Sequence, residues 1–206
     1  MADTSDVRAV RVVVLASGSG SNLQALLDAP DLGGGTVVAV VSDRPQARCL
    51  ERAQAAGVAA VALAAQPGES REAYDTRLLA ELDRFQPDMV VMAGWMRLLS
   101  DVVVRRRYVI NLHPALPGEL PGIRAIERAF EQFTAGTRHR SGAMVHVVDD
   151  EGVDSGPVLA TTEVPLLPGD DLTTFSTRMH AAEHRLLVHT VAAECRRLGT
   201  KGHPSP

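Results

Sequence analysis

The chain is expected to adopt an α/β fold: a single Rossmann-like domain with a mainly parallel, twisted sheet, helices on both faces and an antiparallel element in its C-terminal half. Three observations predict it. Apolar runs alternate with helical patterns at least four times along the 206 residues. The apolar runs are continuous, as in strands buried on both faces. After Gly142 the order changes to strand, loop, strand, which suits antiparallel neighbours.

Each element has its own local reason. Residues 10–16 are strongly β-branched and form the first strand. Residues 22–29 follow as a helix. Val37, Val38, Val40 and Val41 mark the second strand, residues 36–42. Residues 45–56 are helical, with Asp43 as N-cap and Pro45 in the first turn. Residues 58–63 form a short third strand. Residues 70–85 carry Ala73, Leu78, Leu79, Leu82 and Phe85 at near-helical spacing, with Ser70 as cap. Residues 88–93 are a fourth buried strand, 100–107 a short helix and 108–112 the fifth strand. Residues 123–134 are helical, 143–148 and 158–164 are strands, and 171–198 form a long terminal helix. Residues 8–198 thus make one domain. Residues 1–7 and 199–206 are expected to be flexible termini.

Composition bounds the function. Hydrophobic residues make up 45% of the chain, enough for a full core. Aromatics are only 3%, so that core must be built from Val, Leu, Ala and Met. A formal charge of −4 argues against a nucleic-acid partner, while leaving room for a local phosphate pocket. The cluster Arg105-Arg106-Arg107 reads as a solvated helix end. Cys49 and Cys195 show neither metal spacing nor a disulfide framework and read as buried thiols of a reducing compartment. The start is polar and acidic, and the longest apolar stretches have strand length. A cytoplasmic protein without membrane partners is therefore expected. The oligomeric state stays open, a homodimer included.

Two motifs carry chemistry. Ala16-Ser17-Gly18-Ser19-Gly20-Ser21-Asn22 joins the first strand to the first helix. Its free backbone N–H groups and the donors of Ser19, Ser21 and Asn22 suit a phosphate. It lacks the Gly-Lys-Ser/Thr ending of a Walker loop, and Leu23 occupies the third glycine position of a dinucleotide fingerprint. The bland alternative is a capped β-α turn. The second motif is Asn111-Leu112-His113-Pro114, with Asp154 further on. Residues two apart on a strand share a face, so Asn111 and His113 project together from a carboxyl end, where open α/β sheets place their sites. An amide donor, an imidazole and a carboxylate can stabilise an oxyanion and move a proton. This is acyl-transfer equipment without a Ser or Cys nucleophile. On the residues alone, Asp154 fits a turn before Ser155-Gly156 equally well. His146, on an apolar strand, reads equally as a core histidine or as a pocket wall. The Pro/Gly-rich residues 114–122 are too short for a linker and read as an active-site loop.

Six segments in order resemble the phosphoribosylglycinamide formyltransferase family, the folate-dependent enzymes of purine synthesis. They are Ser17 to Gln24, Ser70 to Asp75, Ala93 to Ser100, Asn111 to Leu116, His146 to Pro157, and Glu183-His184. The resemblance implies a formyltransferase domain at 8–198, with a nucleotide-binding half at about 8–110 and a folate and catalytic half at about 111–198. It implies that Gly20, Ser21 and Asn22 hold the ribonucleotide, with Glu183 and His180 at its glycinamide or ribose. It implies that Arg71, Met96, Arg97, Leu98, Leu99 and Asn111 line a folate site. Asp149, Asp150, Glu151, Val153 and Asp154 would form the loop over the pterin. Asn111, His113 and Asp154 match the family's catalytic trio. The implied co-substrate is 10-formyltetrahydrofolate, the partners are small molecules, and no metal is involved. The chain departs from the family pattern at Leu116-Pro117-Gly118-Glu119-Leu120-Pro121-Gly122, where a proline has moved and Leu120 replaces an aromatic before Pro-Gly.

Rival readings remain. Methionyl-tRNA formyltransferases share the Asn-x-His and Asp pattern but are expected to need a further C-terminal RNA-binding domain. Formyltetrahydrofolate hydrolases are expected to carry an N-terminal regulatory domain. From other classes come a non-catalytic nucleotide-binding module and a dinucleotide-dependent hydride-transfer enzyme, the latter weakened by the imperfect glycine pattern.

Overall fold

A computed structural model describes residues 8–149 and 151–200. The expected termini at 1–7 and 201–206, and Asp150, lie outside the described residues. The chain runs β1 (Val10–Leu15), α1 (Ser21–Leu27), β2 (Gly35–Ser42), α2 (Arg48–Ala55), β3 (Ala59–Ala62), α3 (Arg71–Phe85), β4 (Met89–Met92), α4 (Asp101–Val104), β5 (Val109–His113), α5 (Ala125–Thr134), β6 (Arg140–Val147), β7 (Val158–Pro165) and α6 (Leu172–Thr200).

The sheet has seven strands in the order β3-β2-β1-β4-β5-β6-β7. β1 pairs in parallel with β2 and β4, β2 with β3, and β4 with β5. β6 runs antiparallel to β5, and β7 antiparallel to β6. The predicted fold class is thus present, with the antiparallel element where the pattern changes. The chain first builds outward from β1 to β3 and then returns to β4 on the other side. A crevice opens at that reversal, at the carboxyl ends of β1 and β4.

Strand alternation explains the two-sided core. Val12, Val14 and Val40 face one layer with Leu23, Cys49, Phe175 and Leu187. Val13, Leu15 and Val41 face the other, with Tyr74, Leu78, Leu82 and Val103. Helices α1, α2, α5 and α6 therefore cover one side, and α3 and α4 the other. Ser70 caps α3 by accepting from the Ala73 N–H at 3.1 Å, as its sequence position predicts. Both cysteines are free and buried. No helix among the described residues is long and apolar enough to cross a membrane.

Some local expectations need correcting. Asp43 does not cap α2. Pro45 and Gln46 sit in a turn closed by the Ala47 N–H on the Arg44 carbonyl at 3.0 Å, which delays the helix to Arg48 with Ala47 as N-cap. Arg124 adopts a left-handed conformation (φ 59°), so α5 starts at Ala125. At the other end α6 continues through Gly199 and Thr200, which the pattern left to the tail.

Candidate active site

The glycine loop lies in the crevice. Ser17 donates its N–H to the Gly94 carbonyl at 3.0 Å, and its Oγ accepts from the Met96 N–H at 2.9 Å. One serine thus ties the loop after β1 to the loop after β4. Gly20 precedes α1 in a left-handed conformation (φ 71°), and no side chain caps the helix. A Cβ on Gly20 would stand 2.7 Å from the Cβ of Cys49. Backbone conformation and close approach to α2 both require glycine there. From α2, Arg52 Nε donates to the Ser19 carbonyl at 2.8 Å and Nη1 to Gln24 Oε1 at 2.7 Å, bracing the loop. Asn22 Oδ1 is buried without a hydrogen-bond partner among the described residues. Such an atom, beside an uncapped helix start, is set up to receive a ligand donor. Gly20→Ala is expected to destabilise the fold by about 2–4 kcal/mol, from the strained conformation and the overlap combined. Urea denaturation checks this as a lower midpoint at unchanged slope.

Asn111 and His113 stand on one face of β5, and the antiparallel register sets His146 of β6 directly opposite Asn111. Asp154 reaches them from the segment after β6. It holds a left-handed conformation (φ 53°), which Asp tolerates better than most residues. Gly156 lets that segment return against β6, because a Cβ there would overlap the Val147 carbonyl. The Asp154 carboxylate is shared. Oδ1 accepts from Asn111 Nδ2 at 3.1 Å and lies 3.5 Å from His146 Nε2. Oδ2 accepts from the Gly122 N–H at 2.8 Å and lies 3.3 Å from His113 Nδ1. Asp154 therefore does more than form a turn, and His146 is a buried histidine hydrogen-bonded to Asn111.

The hydrogen bonds assign the imidazole roles. His146 Nδ1 faces the Val147 carbonyl at 2.9 Å, so it carries the proton, and Nε2 is free to accept from Asn111 Nδ2 at 3.1 Å. His113 Nε2 faces the Leu120 carbonyl at 3.1 Å and donates to it, leaving Nδ1 toward Asp154. His113 is only 4% exposed. Burial pushes its pKa below the ordinary histidine value, outweighing the Asp154 carboxylate and the Leu120 carbonyl, which pull it up. Burial raises the pKa of Asp154. The adjacent His146 side chain, the hydrogen bond from the Gly122 N–H and the His113 imidazole more than offset that and hold it below the usual carboxylate value. The resting pair is thus a neutral imidazole beside an ionised carboxylate.

The remaining predicted residues fall into two groups. Arg71, at the start of α3, pairs with Glu151, which also accepts from the Asp101 N–H at 3.0 Å. This double hold ties the segment carrying Asp154 to α3 and α4. Arg97 lies over the Tyr74 ring, 4.0 Å from its centroid. Met96 and Leu98 are exposed, whereas Leu99 is buried in the core, so only its backbone is left for a ligand. Buried Asp75 fixes the end of this stretch by accepting from the Ser100 N–H at 2.5 Å. Val153 is exposed and lines a cleft of about 320 Å³ with Pro117, Gly118, Pro121, Met144 and Asp154. Asp149 is exposed. Asp150 falls outside the described residues.

The second group lies on α6. His180 Nδ1 is 2.6 Å from Glu183 Oε2, and that bond raises the His180 pKa. Glu183 is buried and His180 exposed. Among the described residues no hydrogen bond or ion pair joins this pair to Asn111, His113 or Asp154. Ser17 and Leu120 are contributors that the sequence reading did not single out. Ser17 was legible only as a loop residue, and Leu120 acts through its carbonyl, which carries no sequence signal.

Comparisons with known proteins place the chain in a family. Residues 10–191 match the profile of a family described as formyl transferase. A phosphoribosylglycinamide formyltransferase of Schizosaccharomyces pombe is 42% identical over 196 residues, covering 87% of this chain and 94% of that protein. The trifunctional purine biosynthetic protein adenosine-3 of Drosophila melanogaster is 42% identical over 183 residues, covering 86% of this chain and 13% of that protein. The crystal structure of glycinamide ribonucleotide transformylase 1 from Geobacillus kaustophilus superposes with a TM-score of 0.83 at 35% identity. It covers 90% of this chain and 98% of that one.

Proposed function

The chain belongs to the formyl transferase family, and from that premise we propose that it transfers the formyl group of 10-formyltetrahydrofolate to the amine of 5-phosphoribosylglycinamide in purine synthesis. The observation that carries this reading is the convergence of Asn111, His113 and Asp154 beside the crevice. That cluster holds an amide donor, a neutral base and an ionised acid, which direct acyl transfer requires.

In this reading the phosphate sits at Gly20, Ser21 and Asn22, where the uncapped start of α1 offers backbone N–H donors. Glu183, with His180, takes the ribose or glycinamide. The folate lies between Met96–Leu99 and the segment from 149 to 154, with Arg71 and Arg97 at its rim. Residues 8–110 mainly serve the nucleotide and 111–198 the chemistry, although Arg71 and the Met96 loop cross that division.

The amine nitrogen attacks the formyl carbon, forming a C–N bond and a tetrahedral oxyanion. Asn111 Nδ2 turns from Asp154 to donate to that oxyanion. His113 Nδ1 takes the proton released by the attacking nitrogen, and Asp154, 3.3 Å away, stabilises the imidazolium. The oxyanion then collapses, the bond from the formyl carbon to the folate nitrogen breaks, and His113 returns its proton to that nitrogen. Holding both substrates in one crevice supplies much of the remaining acceleration.

A spectrophotometric assay with glycinamide ribonucleotide and 10-formyl-5,8-dideazafolate tests the proposal. Asn111→Ala is expected to lower kcat by about 10²–10³-fold, with ribonucleotide affinity kept within a few-fold. A wild-type protein that binds the ribonucleotide but never turns over would instead be a binding module on this frame.

A further inference from the structure

The loop that bears the acceptor for His113 is held by an arginine outside the proposed trio. Leu120 adopts a left-handed conformation (φ 45°) that a leucine reaches only under constraint. Its carbonyl accepts from His113 Nε2 at 3.1 Å and also from Arg128 Nη2 at 2.7 Å. The same nitrogen donates to the Pro121 carbonyl at 2.6 Å. Arg128 projects from α5, a rigid element whose Ala125 and Ala129 are buried in the core. Its Nε is buried without a partner among the described residues. The side chain leaves a buried donor unsatisfied while clamping two consecutive carbonyls, which a merely surface-seeking arginine would not do. Glu119, the residue before Leu120, is held through its side chain by Arg138. The two arginines therefore hold neighbouring residues of one loop by different groups, and of the two only Arg128 touches the carbonyl that orients the imidazole.

We infer that Arg128 is a positioning residue for formyl transfer: by fixing the Leu120 carbonyl it keeps the proton of His113 on Nε2 and turns Nδ1 toward Asp154 and the reacting carbon. The inference rests on the proposed function for its kinetic tests, and on the structure alone for its spectroscopic one. The groups facing His113 are the Asp154 carboxylate, the His146 imidazole, the Arg128 guanidinium and the Leu120 carbonyl. Of these charges Arg128 works against protonation, so its removal makes His113 easier to protonate. The acid limb of the kcat profile, where the base is lost, then moves to higher pH.

Arg128→Gln is expected to lower kcat by about 10- to 100-fold, with the KM for the ribonucleotide within about threefold and the acid limb shifted upward. Arg128→Lys keeps the charge, but its shorter side chain cannot bring the ammonium fully to the position of Nη2. It is expected to restore the wild-type acid limb with an intermediate kcat, and it serves if the glutamine variant does not fold. Arg138→Gln, which releases Glu119, Gln132 and the Arg140 carbonyl but leaves the hold on the Leu120 carbonyl, is expected to stay within about threefold of wild type. Nitrogen NMR of His113 is expected to report the Nε2–H tautomer in the wild type and a mixture in Arg128→Gln. An Arg128→Gln enzyme with wild-type kcat, limb and tautomer would overturn the inference. So would an equal loss in Arg138→Gln, which would mark general loop order as the cause. A wild type without formyl transfer would refute the functional reading only, leaving the tautomer to decide the role of Arg128.

Discussion

His113→Asn is expected to reduce kcat for formyl transfer by about 10²–10⁴-fold, the usual contribution of a positioned acid–base group, with ribonucleotide affinity changed no more than a few-fold. The reason lies in the two faces of the ring. Nε2 is engaged with the Leu120 carbonyl, so Nδ1 is the nitrogen left for proton transfer. Asparagine can still offer a donor to the carbonyl, but it has no basic nitrogen and cannot carry the proton from the attacking amine to the departing folate nitrogen. The glycine loop is built from other elements and is held by Arg52 and Gly94, so ribonucleotide binding should survive. Isothermal titration with glycinamide ribonucleotide, beside single-turnover kinetics, separates the outcomes. Loss of binding together with turnover would make His113 a structural residue.

Asp154→Asn is expected to lower kcat by a similar factor, about 10²–10⁴-fold, and to move the acid limb of its pH profile in the direction opposite to Arg128→Gln. The carboxylate raises the pKa of His113 against the dominant effect of burial. With the charge gone, the imidazole becomes harder to protonate, and the limb moves to lower pH. The rate falls because the imidazolium formed during transfer loses its counter-charge. Asparagine preserves shape, and its oxygen can still accept from the Gly122 N–H that Asp154 Oδ2 now holds. Loop collapse is therefore a lesser concern than with alanine. A pH profile of the residual activity, compared with wild type, decides the matter. An unshifted limb would mean that Asp154 does not act on His113.

Much of this architecture could be read locally. The strands announce themselves as β-branched runs, and Ser70 caps α3 where its spacing predicts. Asn111 and His113 were legible as one face because the period of a strand is two. The errors have equally local causes. α2 starts late because the Pro45 turn is closed by a backbone bond that no side chain announces. α5 starts late because Arg124 takes a left-handed conformation.

The site itself was only half legible. That Asp154 meets Asn111 and His113 follows from the resemblance, whereas its residues alone fit a turn. His146 stayed undecided because its role depends on lying opposite Asn111 in the β5–β6 register. Arg128 and the Leu120 carbonyl escaped notice for a related reason: a backbone acceptor has no residue type, and its partner is recognised only once the loop is folded.

The amino-acid order thus settles which segments become strands, which become helices and where the glycine turn must lie, because each depends on side-chain branching, periodicity and backbone freedom within a few residues. The meeting of β5, the 114–124 loop and the Asp154 segment depends on strand order, antiparallel register and carbonyl direction. Those are set by the burial of the whole sheet, where residues distant in sequence share one desolvated crevice and must satisfy one another's polar groups.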